Sequence, residues 1–347
     1  MAPRWLFAAG LLGSCSACSH FAMENDYALT GRTMDLETIS NSSWTILVEP
    51  TSDATKQPFL GMILQQNGTM EEDIVFAGIN SAGLTCDLNA LLGTKYPDPA
   101  PDKTNIQVYL FCRWALSNFT TVEEVQEGLK SVNFVEQHGL WAKMDVHFAL
   151  RDAKKQGIIV EFLEGKTEVY TDNNDKGATG FGIMTNEPPL LWQLEAVRHL
   201  QWKKTLARSA VTMPGTWYPD ERFQRIHLVK SAMGAPTSYA EAFAQTVHVL
   251  NTITVPMGDQ MGTDSGKGSG EGNGDHTQWG VVYDHTNPTV YWRSFANQNF
   301  QRLQLKDLSL TKGSQKKYLA MASPSLPWFA DAASALEPEK GAEEISI

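Results

Sequence analysis

The chain has 347 residues, 42% of them hydrophobic and 19% charged, and its 28 Lys and Arg against 39 Asp and Glu give a formal net charge of −11. The apolar fraction excludes a disordered chain, and the acidic balance argues against nucleic acid or an anionic membrane surface as a partner. Four cysteines in so long a chain cannot be the disulfide framework of a small secreted domain.

Met1 to Ala17 carries one early positive charge at Arg4, an apolar run from Trp5 to Leu12 and small residues from Gly13 to Ala17, the order of a secretory signal peptide. The apolar run is too short to span a bilayer and no later stretch reaches that length, so no integral membrane segment is expected in the mature chain. A cut after Ala17 makes Cys18 the first residue of a single domain, 18–347, that is secreted or periplasmic. A second reading stays open. Leu12-Gly13-Ser14-Cys15 resembles a bacterial lipoprotein processing box, which would put a lipid on Cys15 and make the protein a membrane-tethered binding lipoprotein.

Beyond the leader, Phe21 to Asp35 is a strand-like start, and apolar runs at Thr45–Val48, Phe59–Leu64 and Ile74–Ala77 read as short strands and hairpins with turn residues such as Asn67-Gly68 between them. A Pro-rich loop at 96–101 precedes a helical pattern over Ile106–Leu116. Thr121, followed by Glu123 and Glu124, starts a second helix with acidic residues where the helix dipole favours them. His147–Arg151 and Ile158–Phe162 read as a hairpin in a second sheet. Leu190, Leu194 and Val197, then Phe223, Ile226, Val229 and Met233, recur at helical spacing. Strands return at Gly280–Tyr283 and Val290–Trp292. This order predicts an α+β layered domain with helices packed on antiparallel sheets. The Gly-rich stretch 258–275 is expected to be a surface loop, and 337–347 a flexible tail.

An N-terminal cysteine carries a nucleophile and a base in one residue. Its α-amine has a reference pKa of about 7.7–8.0, so a useful fraction is neutral near physiological pH and can take the thiol proton. Such a site also needs a cation and a carboxylate beside the amine and thiol, donors for an oxyanion, and an apolar pocket. Arg32 and Asp35 follow Cys18 closely enough to serve, although residues three apart on an unbroken strand face opposite ways, so both reach one site only if the chain bends.

At these residues the sequence resembles the choloylglycine hydrolase and penicillin V acylase family of N-terminal-nucleophile cysteine hydrolases. The resemblance rests on an ordered series: Cys18-Ser19-His20-Phe21, Gly31-Arg32-Thr33-Met34-Asp35, Gly78-Ile79-Asn80 with Gly83-Leu84, Met184-Thr185-Asn186-Glu187-Pro188 with Trp192-Gln193-Leu194, Pro214-Gly215 with Glu221-Arg222-Phe223, and Val255-Pro256-Met257-Gly258 with Thr277-Gln278-Trp279. It implies a four-layer αββα sandwich and hydrolysis of a linear amide through an acyl-enzyme thioester. Cys18 would be the nucleophile and its amine the base, with Arg32 and Asp35 orienting them. Asn186 would donate to the oxyanion, and Arg222 would complete the charged network.

The family's second oxyanion contact follows the Gly-Leu pair, where Ala90 stands at the expected spacing; Asn89 or a backbone N–H is left for that role. The implied substrate is a small-molecule amide with an apolar acyl group, of bile salt or penicillin V type. A lipid amide of the acid-ceramidase type is the alternative within the same chemistry. No cofactor is implied, and the eight His and four Cys show no recurring metal-ligand spacing. The resemblance also raises a homo-oligomer as an expectation. His147, His199 and His248 read as core or surface histidines, and Cys86 and Cys112 as buried thiols that could pair in an oxidising compartment.

Overall fold

A computed structural model describes residues 18–136, 144–171, 182–207, 213–257 and 275–332. The leader with Cys15, the Gly-rich stretch apart from Asp275, and the tail lie outside the described residues. In chain order the strands and helices are β1 (Ser19–Ala22), β2 (Leu29–Leu36), β3 (Ser42–Glu49), β4 (Phe59–Gln66), β5 (Thr69–Met70), β6 (Ala77–Asn80), β7 (Thr85–Ala90), β8 (Thr104–Gln107), α1 (Phe111–Asn118), α2 (Val122–Leu129), β9 (Val132–Val135), β10 (Val146–Arg151), β11 (Gly157–Leu163), β12 (Lys166–Thr171), β13 (Ile183–Met184), α3 (Leu190–Ala207), α4 (Pro219–Ala232), α5 (Tyr239–Thr252), β14 (His276–Asp284), β15 (Thr289–Ser294), β16 (Gln301–Gln304) and β17 (Lys317–Ala320).

Two large sheets carry the fold. One runs β13-β1-β2-β14-β15-β16; the other runs β12-β11-β10-β7-β6-β4-β3-β17, with β5 beside β4. Between them lies a core in which Met34, Trp279 and Tyr283 of the first sheet meet residues of the second. Trp44 of β3 touches Trp279 of β14 edge to face, with centroids 5.6 Å apart. The outer face of the second sheet is covered by α1, where Phe111 stacks on Phe148 of β10 at 4.0 Å. The opposite face of the first sheet buries Phe21, Leu29, Ile183 and Val282 against Leu194, Phe223 and Val249 of α3, α4 and α5. Each sheet therefore has one face against the other sheet and one against helices, which gives the αββα order.

Local chemistry explains most of the boundaries. The strand-like start is a hairpin rather than one strand, because Asn25-Asp26 forms a turn in which Asn25 Oδ1 accepts from the Tyr27 N–H at 2.9 Å. Phe21 lies directly across from Gly31, where an added Cβ would meet the ring at 2.3 Å, so glycine is what lets β1 and β2 close. Thr121 caps α2 in a reciprocal capping box with Glu124, an arrangement worth on the order of 1 kcal/mol.

Two expectations are corrected. Ile74–Phe76 precedes β6 instead of forming a strand, and the helical pattern from Ile106 becomes a short strand and a 3-10 turn before α1 begins at Phe111. The hairpin β10–β11 shares its sheet with β3 and β4, while the N-terminal hairpin belongs with β14 and β15. Cys86 and Cys112 form a disulfide that ties β7 to α1. Among the described residues no helix is long and apolar enough to cross a membrane, and no group of three or more His, Cys, Asp or Glu is arranged to hold a metal.

Candidate active site

Cys18 immediately precedes β1 at the end of the first sheet where β13 finishes, β2 finishes and β14 begins. The five residues singled out by sequence converge there. Cys18 is buried, with its thiol 3.5 Å from the Met34 sulfur and 4.0 Å from the Asp35 carbonyl. Burial pushes the thiol up to about 11, and the nearby Arg32 guanidinium is the main influence pulling it back. A thiol in that state requires a base to become a nucleophile at neutral pH.

Arg32 and Asp35 approach from opposite faces of β2. Arg32 points between the sheets, where its Nη2 donates to the Leu88 carbonyl and its guanidinium lies over the Trp279 ring at 4.8 Å. Its Nε and Nη1 have no hydrogen-bond partner, although Asp87 Oδ1 lies 3.8 Å from Nε. Asp35 points the other way. One oxygen accepts from Thr33 Oγ1 at 2.9 Å and the other from Thr277 Oγ1. The bend anticipated within β2 does not occur; the irregularity lies in β14, where the register shifts between Thr277 and Trp279 opposite Asp35 and Met34. Both residues reach Cys18 because it stands at the strand end, where the side chain is on one face and the backbone is open to the other.

Burial raises the Asp35 carboxyl to about 6, opposed chiefly by Arg222. Arg222, on the first turn of α4, is fully buried and is lowered by that burial against the pull of Asp35. Its Nη1 donates to the Cys18 carbonyl at 2.7 Å and to Ser19 Oγ, its Nη2 to Asn186 Oδ1 at 2.8 Å, and its Nε to the Trp217 carbonyl at 2.9 Å. It is therefore a brace with every limb occupied and not the solvated helix-start charge that its sequence position alone would allow.

Asn186 follows β13 in a turn whose carbonyls are held from several sides. Gln193 Nε2 donates to the Asn186 carbonyl at 2.7 Å and to the Pro188 carbonyl at 2.6 Å. The Asn186 amide donates to the Ala90 carbonyl at 2.9 Å, which uses one of its two hydrogens. Asn89 is differently engaged. Its amide donates to the Thr185 carbonyl at 2.8 Å and the Met184 carbonyl at 3.3 Å, so both hydrogens are committed to supporting the Asn186 turn and neither is left for an oxyanion.

Sequence reasoning missed several contributors. Gln193 and Thr277 lie inside the family motifs, where their residue types alone signal no role. Asp275 was assigned to the Gly-rich surface loop, yet it is buried, accepts from the Glu37 backbone, and has one carboxylate oxygen without a partner. Burial and the neighbouring Asp35 raise its carboxyl to about 7. Nothing in the local sequence signals this, since Asp275 lies just before β14 and is buried by contact with the end of β2.

Beyond Trp279 a cavity of about 370 Å³ is lined by Ile39, Trp44, Met257, Trp279, Phe295 and Met321. Trp279 pairs across the strands with Met34, which touches the Cys18 thiol, so the cavity wall and the thiol share a neighbour.

Fold and site together define a four-layer αββα amidohydrolase. The family model for linear amide C–N hydrolases, choloylglycine hydrolase family, matches residues 18–318, and the chain belongs to that family. It is 27% identical over 338 residues to a bile salt hydrolase/transferase of Clostridium perfringens, covering 87% of this chain and 96% of the relative. It is 23% identical over 250 residues to a penicillin V acylase of Pectobacterium atrosepticum, covering 67% and 62%. Two solved structures share the fold: a variant of conjugated bile acid hydrolase from Clostridium perfringens, with a TM-score of 0.70, 24% identity and coverage of 87% and 96%, and penicillin V acylase from Agrobacterium tumefaciens, with 0.68, 22%, 87% and 91%. The protein is a hydrolase of linear amide C–N bonds.

Proposed function

We propose that Cys18 is the nucleophile of this hydrolase and that its own α-amine, freed by removal of residues 1–17, is the base. The observation that carries the reading is the Arg222 brace, which joins the Cys18 carbonyl to the Asn186 amide in one buried unit. The family match beginning at Cys18 supports the same boundary.

The reaction then follows from the charges. The amine takes the thiol proton, and the sulfur attacks the amide carbonyl, assisted by Arg32 from the sheet interior. The oxyanion receives the free hydrogen of the Asn186 amide and a backbone N–H. The C–N bond breaks as the α-ammonium returns its proton to the leaving amine, leaving a thioester on Cys18. Water, deprotonated by the same amine, attacks the thioester; the C–S bond breaks and the thiol is restored. Asp35 and Arg222 hold the amine and the Cys18 backbone throughout.

The acyl group is apolar and occupies the cavity walled by Trp279, Trp44 and Phe295. Conjugated bile salts are the first substrates to assay, because the bile salt hydrolase/transferase relative matches along nearly its whole length, and penicillin V is the second. Secretion or periplasmic export is part of the reading, supported by the leader pattern of residues 1–17 and by the Cys86–Cys112 disulfide.

Intact-mass analysis of active protein, before and after mixing with a glycine-conjugated bile salt, penicillin V and a long-chain N-acyl amide, tests all of this. The expected result is a chain beginning at Cys18 and a transient acyl adduct on it. Full activity with residues still preceding Cys18, or unchanged turnover in Cys18→Ala, would overturn it.

A further inference from the structure

His147 has no role in the motifs, yet it occupies a singular place. Asn89 on β7 and His147 on β10 are cross-strand partners, and Glu161 on β11 stands on the far side of His147, forming a buried polar row on the face toward the other sheet. His147 Nδ1 lies 3.1 Å from Glu161 Oε1, and its Nε2 lies 3.0 Å from the Thr185 carbonyl. Carboxylate and carbonyl are both acceptors. The two contacts can be hydrogen bonds at once only if the His147–Glu161 pair holds one proton more than a neutral imidazole and a carboxylate supply.

Glu161 also accepts from the Leu190 N–H at 3.0 and 3.3 Å, at the N-terminus of α3. One turn along that helix, Gln193 holds the Asn186 and Pro188 carbonyls. The pair thus fixes the carbonyl immediately before Asn186 and the helix that fixes the carbonyls at and after it.

We propose that His147 and Glu161 form a proton-sharing clamp that positions the Asn186 amide for the oxyanion. They are positioning residues and touch no reacting atom. The proposal rests on the reading of Asn186 as oxyanion donor given above. A buried pair serving stability alone would lower the thermal midpoint and the folded fraction without a selective effect on the acylation step.

The test is a double-mutant cycle on the full-length processed enzyme, measuring kcat, KM and thermal midpoint for His147→Leu and His147→Gln, each with Asn186 intact and with Asn186→Ala. Asn186→Ala is expected to lower kcat by about 10²–10³-fold. His147→Leu should lower it by about 10–100-fold with KM within about twofold, and His147→Gln, which keeps a donor toward Thr185, by about 3–10-fold. In the Asn186→Ala background both losses should shrink to less than about threefold. Equal fold-losses in the two backgrounds, or a rise in KM at constant kcat, would overturn the clamp while leaving the oxyanion reading in place. An Asn186→Ala variant with undiminished kcat would instead overturn the oxyanion reading, and the clamp with it. Where the Leu variant does not fold, the Gln cycle decides by the same criteria.

Discussion

Arg222 donates to the Cys18 carbonyl at 2.7 Å across 204 positions of sequence, and this bond ties the helical layer to the residue that leads into the first strand. The same guanidinium holds Asn186, so one side chain sets the distance between the proposed nucleophile and the proposed oxyanion donor. A lysine has one terminal nitrogen and no planar fork, so it cannot serve the Cys18 carbonyl, Asn186 and Trp217 together. Arg222→Lys is expected to lower kcat by about 10²-fold or more while the protein stays folded, as read by circular dichroism beside steady-state kinetics. Wild-type kcat in that variant would remove Arg222 from the machinery.

Besides the limb set by protonation of the α-amine itself, a further acid-side loss of activity is expected near pH 6. Burial raises Asp35 to about 6 and Asp275 to about 7, and Asp35 serves the α-ammonium only when ionised, so the rate should climb as pH rises through that range. Asp275 ionises above Asp35 and is still neutral when Asp35 titrates, so Asp275→Asn is expected to leave this limb in place. The folded-state pKa of Asp35 lies above its ordinary value, so its stabilising contribution is fully present below about pH 4 and lost as pH rises through about 6. A pH profile of kcat/KM for wild type and Asp275→Asn checks this, and a clear shift of the limb in the variant would refute it.

The Cys86–Cys112 disulfide closes a loop between positions 26 apart and ties β7 to the helix on its outer face. Replacing both cysteines with alanine should cost about 3 kcal/mol of stability through loop entropy, while kcat stays within about twofold because neither residue reaches Cys18. Denaturant unfolding with a parallel activity assay separates the two effects.

Gly83 sits at φ +85°, and a Cβ there would lie 2.1 Å from the His285 carbonyl oxygen. The clash is with backbone, which has little room to yield. Gly83→Ala is therefore expected to destabilise by about 2–4 kcal/mol, from the left-handed conformation and the forced separation of the two loops. A thermal midpoint equal to that of wild type would contradict the placement of this turn.

The reach of sequence reading varied with the range of the interaction. Thr121 with Glu124 is a local cap, and the helical spacing of Leu190, Leu194 and Val197 is periodic over two turns, so both were visible in short windows. Asp275 was not. It follows Gly272-Asn273-Gly274 in the chain, and its burial comes from lying beside the end of β2, where the Glu37 backbone donates to it, some 240 residues away in sequence. The helix α5 escaped for a related reason: its buried residues Ala242, Thr246, Val249 and Leu250 include small and polar types, and its face is apolar enough only against the sheet it covers.

The sequence alone determined the chemistry available: one cysteine at the end of a leader pattern, and an ordered series of motifs carrying an arginine, a carboxylate, an amide and a second arginine. Those identities are covalent facts that no folding changes. Tertiary structure decided what each group is free to do. Asn89 and Asn186 have the same side chain, yet Asn89 spends both amide hydrogens on the turn carbonyls while Asn186 keeps one in reserve. His147 reads as an ordinary core histidine until Glu161 and the Thr185 carbonyl flank it. Hydrogen-bond capacity is set by residue type, but its allocation depends on partners brought within about 3 Å by strands and helices far apart in the chain.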